Sequence, residues 1–255
     1  MLDLTDLLLL LIFAIGAVVQ TTTGFAFGLV VMSGAAVFNL ASIEMMAFVV
    51  SVLSFVNSST GLIGGLWRHA LWRQIGIFFI ASGPAIGLGV WLLDYLGNSA
   101  IAGLQLLLGA TLIAACALSW FKPAANQPLA SSQAYLWCGA IAGVLGGLFS
   151  TSGPPISYLM YRQPLSLATI RATLLTIFWL TCIIRVGITG ASGLITHDMW
   201  LWSAIGFPVV FITTLLIKRF PLPFAPERVR QLAMILLVLS GVSLLAKGSI
   251  GVLGY

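Results

Sequence analysis

The sequence predicts an all-α polytopic membrane protein made of two inverted repeats, each a broken-helix or re-entrant hairpin followed by three transmembrane helices. Composition, a repeated interruption of the apolar blocks and the placement of charge carry that expectation. Of the 255 residues, 60% are hydrophobic and 7% charged, against about 25% charged in a soluble domain. So few charges cannot cover a water-facing surface, and the solvent that suits such a chain is lipid. A spanning helix takes roughly 20 apolar residues, so the length allows eight or more crossings with short loops.

The apolar blocks run over 7–38, 43–66, 74–96, 100–120, 135–161, 165–188, 199–217 and 231–246. Two are interrupted: 7–38 by Gln20-Thr21-Thr22-Thr23-Gly24, and 135–161 by Ser150-Thr151-Ser152-Gly153-Pro154-Pro155. Each interruption is expected to leave legs too short to span. A helical leg of about 14 residues covers only roughly 21 Å, against a hydrocarbon core of about 30 Å.

The interruptions correspond. Thr21-Thr22-Thr23-Gly24 lies over Ser150-Thr151-Ser152-Gly153 at a shift of 129 residues. Gly65-Leu66-x-x-His69-x-x-Trp72 lies over Gly193-Leu194-x-x-His197-x-x-Trp200 at a shift of 128. Two matches at nearly one shift indicate an internal duplication: repeat 1–120, a cytoplasmic linker 121–134 with Lys122, Pro123, Asn126 and Pro128, and repeat 135–255.

Charge placement orients the halves. Loop 67–73 holds Arg68 and Arg73 and loop 94–99 holds Asp94, whereas loop 189–199 holds Asp198 and loop 218–230 holds Lys218, Arg219, Arg228 and Arg230. Basic loops face the cytoplasm, so the halves are inverted relative to each other, a plan common among secondary transporters. Inversion needs an odd net number of crossings per half, which follows if each broken block returns to the side it entered. Both termini then face outward, and Lys247 is the one base out of place. The net charge of +5 reflects these loops, not a nucleic-acid surface. The start Met1-Leu2-Asp3-Leu4-Thr5-Asp6 lacks the basic residues of a signal peptide and is read as part of the fold.

The hydroxyl-rich breaks are the sharpest candidate for chemistry. Irregular backbone at membrane depth is tolerated where it is buried in protein or lines a cavity. Gly24 and Gly153 permit the dihedrals of a break, and Pro154 and Pro155 suit the first turn of a restarting helix capped by Ser152 or Gly153. A restarting helix presents unpaired N–H groups and its positive dipole end. Two such ends meeting near the midplane, lined by Thr and Ser hydroxyls, make a site for a small anion. The alternative is a pair of kinks whose hydroxyls only satisfy freed backbone groups.

The expected substrate-binding set is Gln20, Thr21, Thr22, Thr23, Gly24, Asn57, Ser150, Thr151, Ser152, Gly153, Pro154 and Arg171. Arg171 can neutralise an anion by bidentate contact or snorkel to the cytoplasmic interface. Arg185, fourteen residues on and near the outer end of its block, is read in the same two ways. Gln20 and Asn57 either line the path or bond across helices. Glu44 opens the second block and is read as interfacial, with proton coupling as the alternative. His69 and His197 fall in loops on opposite faces and cannot supply a metal site. Cys116, Cys138 and Cys182 read as packing residues. Gly24/Gly28, Gly83/Gly87 and Gly139/Gly143 have the spacing that lets helices approach and permits a homodimer. Trp67, Trp72, Trp120, Trp137 and Trp200 flank blocks as interfacial anchors.

Thr-Thr-Thr-Gly-Phe-Ala-Phe-Gly (21–28) and Gly-Leu-Phe-Ser-Thr-Ser-Gly-Pro-Pro (147–155) resemble the paired signatures of the sulfite exporter TauE/SafE (TSUP) family. The resemblance covers essentially the whole chain, with its length, eight blocks and two halves. It implies a transporter of sulfite, organosulfonates or similar small anions across the plasma (inner) membrane, coupled to a proton or other ion. The family's glycine-rich elements map onto Gly24 and onto Gly153 to Pro155; the first break carries Thr-Thr-Thr in place of a denser glycine pattern. No cofactor is expected. No GxxxxGK[ST] loop is present, so the chain does not itself hydrolyse ATP, and HExxH is absent. A passive anion channel is the competing reading; it would need a polar stripe along several helices, and only two polar breaks are visible.

Overall fold

The computed structural model describes residues 3–120, 129–220 and 226–252. Lys122, Pro123, Asn126 and Pro128 of the expected linker lie outside them, as do the side chains of Trp120 and Arg230. Every regular element among the described residues is a helix: α1 Leu4–Thr23, α2 Phe27–Val37, α3 Ile43–Leu62, α4 Trp72–Ser99, α5 Ile101–Trp120, α6 Ser132–Phe149, α7 Gly153–Tyr161, α8 Leu167–Ala191, α9 His197–Arg219 and α10 Pro226–Val252, with one 3₁₀ turn at Leu66–His69. Eight of these are long and apolar enough to cross a membrane; α2 and α7 are not. Ser42 and Ser166 cap α3 and α8, each side chain accepting from the amide three residues on, as short hydroxyl residues do at helix starts.

Both interrupted blocks are broken helices that fold back. Gly16 of α1 lies against Phe27 and Val31 of α2, and Ile12 against Gly34, so α1 and α2 run antiparallel. Beyond α7, the Gln163 amide donates to the Tyr135 hydroxyl near the start of α6 at 3.0 Å and its carbonyl accepts from the Ala130 amide at 3.1 Å. The legs are unequal, which corrects the expectation of two short ones. α1 and α6 have 20 and 18 residues, α2 and α7 only 11 and 9. At 1.5 Å per residue α2 reaches about 16 Å into the protein.

The ends of the bundle differ in charge. Asp3, Asp6, Glu44, Asp94 and Asp198 sit where α1, α3 and α9 begin and α4 ends; Arg68, Arg73, Arg162, Lys218, Arg219 and Arg228 sit at the opposite ends. Lys247, the base at the acidic end, donates to the Val37 carbonyl at 2.7 Å. It satisfies an unpaired carbonyl of α2, a use that explains a cation there. Lys218 does the same for α3, donating to Thr60 and Ile63 at 2.8 and 3.0 Å.

Helix pairs are exchanged between the halves. α4 packs along α6 and α9 along α1, while α3 faces α8 and α5 faces α10. The α4–α6 seam is backbone on backbone. A Cβ at Gly143 would sit 2.7 Å from the Ser82 carbonyl, and one at Gly139, Gly147 or Gly89 would collide with backbone of the facing helix. Gly139 and Gly143 are thus occupied within the chain. Gly83 has nothing within 4 Å, so the expectation of close approach fails there. Trp67, Trp72, Trp137 and Trp200 are exposed, as anchors are. His69 ends the 3₁₀ turn and His197 begins α9, both exposed and at opposite ends of the bundle, so the expected loop position of His197 is a helix start.

Candidate functional site

The two breaks meet. α1 stays helical through Thr23, and Gly24 turns left-handed (φ 85°) as its C-cap. The chain re-enters a helix at Phe27 after Ala26, itself at φ 83°. In the second half α6 ends at Phe149, Ser150 is left-handed (φ 54°) and α7 starts at Gly153. A Cβ on Gly28 would lie 2.6 Å from the Ser150 carbonyl, and one on Gly153 would lie 3.7 Å from Phe25 Cβ. Only a residue without a side chain at 28 lets α2 rest on the 150–151 backbone.

Between them lies a buried cavity of about 20 Å³ lined by Gln20, the segments 26–29 and 150–153, Ser54, Phe178, Thr181 and Cys182. That is room for about one water. The amides of Phe27, Gly28 and Leu29 precede the first helical bond of α2, Val30 to Ala26 at 3.0 Å, so a positive helix end faces this space. α7 offers less than expected. Pro154 and Pro155 fill its first turn and carry no N–H, and Ser152 makes no capping bond. The hydroxyls of Thr151 and Thr181, each 3% exposed, have no hydrogen-bond partner among the described residues. Buried unpaired hydroxyls are uncommon and call for a ligand or water.

The structure distributes the expected residues unevenly. Gln20 lines the cavity and donates to Ser58 Oγ at 3.2 Å. Thr21, Thr22 and Thr23 do not line it. Thr22 and Thr23 return their hydroxyls to the carbonyls of Val18 and Val19, and Thr21 accepts from Asn57. Asn57 also donates to Thr214 Oγ1 at 2.8 Å, tying α1, α3 and α9 together. Arg171 neither snorkels nor lines the cavity. Its Nη2 donates to the Thr22 and Thr21 carbonyls, and its side chain packs 3.5 Å from where a Gly24 Cβ would stand. Tyr161 donates to the Thr23 carbonyl at 2.9 Å. Together they close the C-terminus of α1 and fix the break. Ser150, Thr151, Ser152 and Gly153 do line the cavity.

The residue that sequence reasoning undervalued is Arg185. Far from snorkelling, it is 1% exposed. Its Nε donates to the Gly147 carbonyl at 3.0 Å, and its Nη1 to the Ala47 carbonyl at 2.9 Å and to Ser51 Oγ at 3.1 Å. Ser51 Oγ is in turn 2.8 Å from Ser150 Oγ. One buried cation is therefore linked through a single hydroxyl to the second break. The available signal was an arginine inside an apolar span, which generally faces a protein interior.

Two interrupted helices meeting around a small polar space, in a bundle with eight helices long and apolar enough to cross a membrane, fit a multi-pass membrane transporter. The chain belongs to the sulfite exporter TauE/SafE family, which matches residues 8–244. It is 36% identical over 230 residues to a probable sulfite/organosulfonate exporter TauE of Cupriavidus necator, covering 90% of each chain. It is 30% identical over 191 residues to a probable inner membrane transporter protein TsaS of Comamonas testosteroni, covering 71% of this chain and 75% of that one. No solved structure matches the chain.

Proposed function

We propose that the protein is a secondary transporter of small sulfur-containing anions, such as sulfite or organosulfonates, in the plasma (inner) membrane. Its two halves, 1–120 and 135–255, are inverted, the acidic end of the bundle faces outward and the basic end faces the cytoplasm. The exchanged packing of α4 on α6 and α9 on α1 supports a two-fold relation. The charge difference between the ends supports the orientation. The anion is held between the start of α2 and the turn 150–153, with Gln20, Thr151 and Ser152 as side-chain contacts. Thr21, Thr22, Thr23, Gly24, Asn57, Pro154 and Arg171 shape the two breaks.

The observation that carries this reading is the pair of unpaired hydroxyls, Thr151 and Thr181, on the cavity that the α2 amides face. Hydroxyls and amide N–H groups are donors suited to sulfonate oxygens. A space with room for about one water is too narrow for a standing pore, which favours alternating access. Purified protein in liposomes is expected to give saturable sulfite and methanesulfonate flux. Flux equal to that of protein-free vesicles would overturn the reading, and unitary currents would replace it with a channel.

A further inference from the structure

Beside the central cavity is a larger one, of about 170 Å³, at the acidic end. Glu44 of α3, Asp94 of α4, Arg185 and Thr189 of α8, and Thr196 line it. A guanidinium has five N–H donors. Nε and Nη1 of Arg185 account for three, on Gly147, Ala47 and Ser51. The two on Nη2 have no partner among the described residues, although the side chain is 1% exposed. A fully buried cation with an unengaged edge is thus part of the wall of a space well above the ~10–15 Å³ that one water needs.

Two carboxylates share that space, close enough to repel each other. Glu44 forms no hydrogen bond with a described residue, and its Oε1 lies in the gap left by the missing side chain of Gly97. The other ionisable groups at this end are Asp3 and Asp6 at the start of α1, Tyr95 on the exposed side of α4, His197 and Asp198 at the exposed start of α9, and Lys247, which is bonded to Val37. Among the described residues, none of these lines the cavity.

We infer that this vestibule is a proton-linked docking site, in which a sulfonate or similar oxyanion binds Nη2 of Arg185 when Glu44 carries a proton. An anion reaching Arg185 adds negative charge beside two carboxylates in a space walled by apolar residues. One proton on Glu44 removes a charge and turns an acceptor into a donor on the wall of the same space. By linkage, the anion then raises proton affinity at Glu44 as much as the proton raises anion affinity. The ionised form ejects the anion outward. The inference rests on the proposed anion transport and adds where the anion stops and which group reads pH.

The test is methanesulfonate binding to the full-length protein, followed from about pH 5 to about pH 8, since the charge of this probe is constant across that range. Wild type is expected to bind more weakly as pH rises, by up to roughly tenfold per pH unit for one linked proton. Glu44→Gln should hold the low-pH affinity at every pH, and Gly97→Ala, which displaces the Glu44 carboxylate, should flatten the profile. Arg185→Lys should weaken binding at all pH values. A wild-type affinity independent of pH, or an E44Q profile with the wild-type slope, overturns the inference. If liposome flux persists while either result is found, only the vestibule fails; if flux is absent as well, the transporter reading fails with it.

Discussion

The two breaks began as equivalent segments of sequence and ended as unlike halves of one site. The first contributes backbone: the amide end of α2, brought close because Gly28 has no side chain to hold it off Ser150. Its threonines are turned back onto α1 or onto Asn57. The second contributes hydroxyls, because prolines at the start of α7 remove the amides that would otherwise point inward. Two similar hairpins thus differ in what they offer, one N–H and the other O–H. What a break offers depends on the residues just past it as much as on those within it.

The sharpest way to break this comparison is at the contact itself. Gly28→Val places a side chain against the Ser150 carbonyl, where nothing flexible can yield. Such overpacking costs about 1–3 kcal/mol, and here it also separates the breaks, so transport should be lost and the thermal midpoint in detergent should fall. Gly83→Ala, with open space around it, should change neither; equal effects would mean that Gly28 is ordinary packing.

A smaller and more selective effect is expected from the hydroxyls. Thr151→Val and Thr181→Val remove buried groups that have no partner among the described residues, so stability should hold or rise while flux falls about tenfold or more, the loss of roughly one charge-assisted bond. Thr22→Val removes a hydroxyl bonded within α1, and Thr23→Val one bonded to α1 and to the Phe25 carbonyl; neither hydroxyl is offered to the cavity, so both should leave flux within about twofold, with a stability cost of about 1 kcal/mol each. Comparable losses at all four positions would erase the division of labour.

The mildest change is Asn57→Leu. An interhelical hydrogen bond in a membrane protein averages about 0.6 kcal/mol, so stability should drop modestly and the substrate concentration for half-maximal flux should stay put. A large shift in that concentration would put Asn57 in the path.

Much of this was legible beforehand. So few charges allow only a lipid-solvated chain, and two polar interruptions at one shift announce two broken helices. The finer placement was not. Thr21 to Thr23 looked like site lining because a hydroxyl in sequence does not reveal whether its own helix will claim it, as it does at Val18 and Val19. Nothing in the sequence sets Ser54 and Thr181 apart from the other span hydroxyls, since only the packing of α3 and α8 beside α6 turns them toward the cavity. Arg185 was visible as a charge but not as a buried one. Its partners are carbonyls of Ala47 and Gly147, 138 and 38 residues away respectively, and local pattern carries no trace of them.

The glycine seam between α4 and α6 has a mechanical consequence. Helices in direct main-chain contact interlock and cannot slide past each other without losing that fit. α4 lies within residues 1–120 and α6 within residues 135–255, so the seam rivets two distant stretches of chain together. Any movement of the α6–α7 hairpin therefore carries α4 with it, and a working unit of this molecule need not be a continuous stretch of sequence.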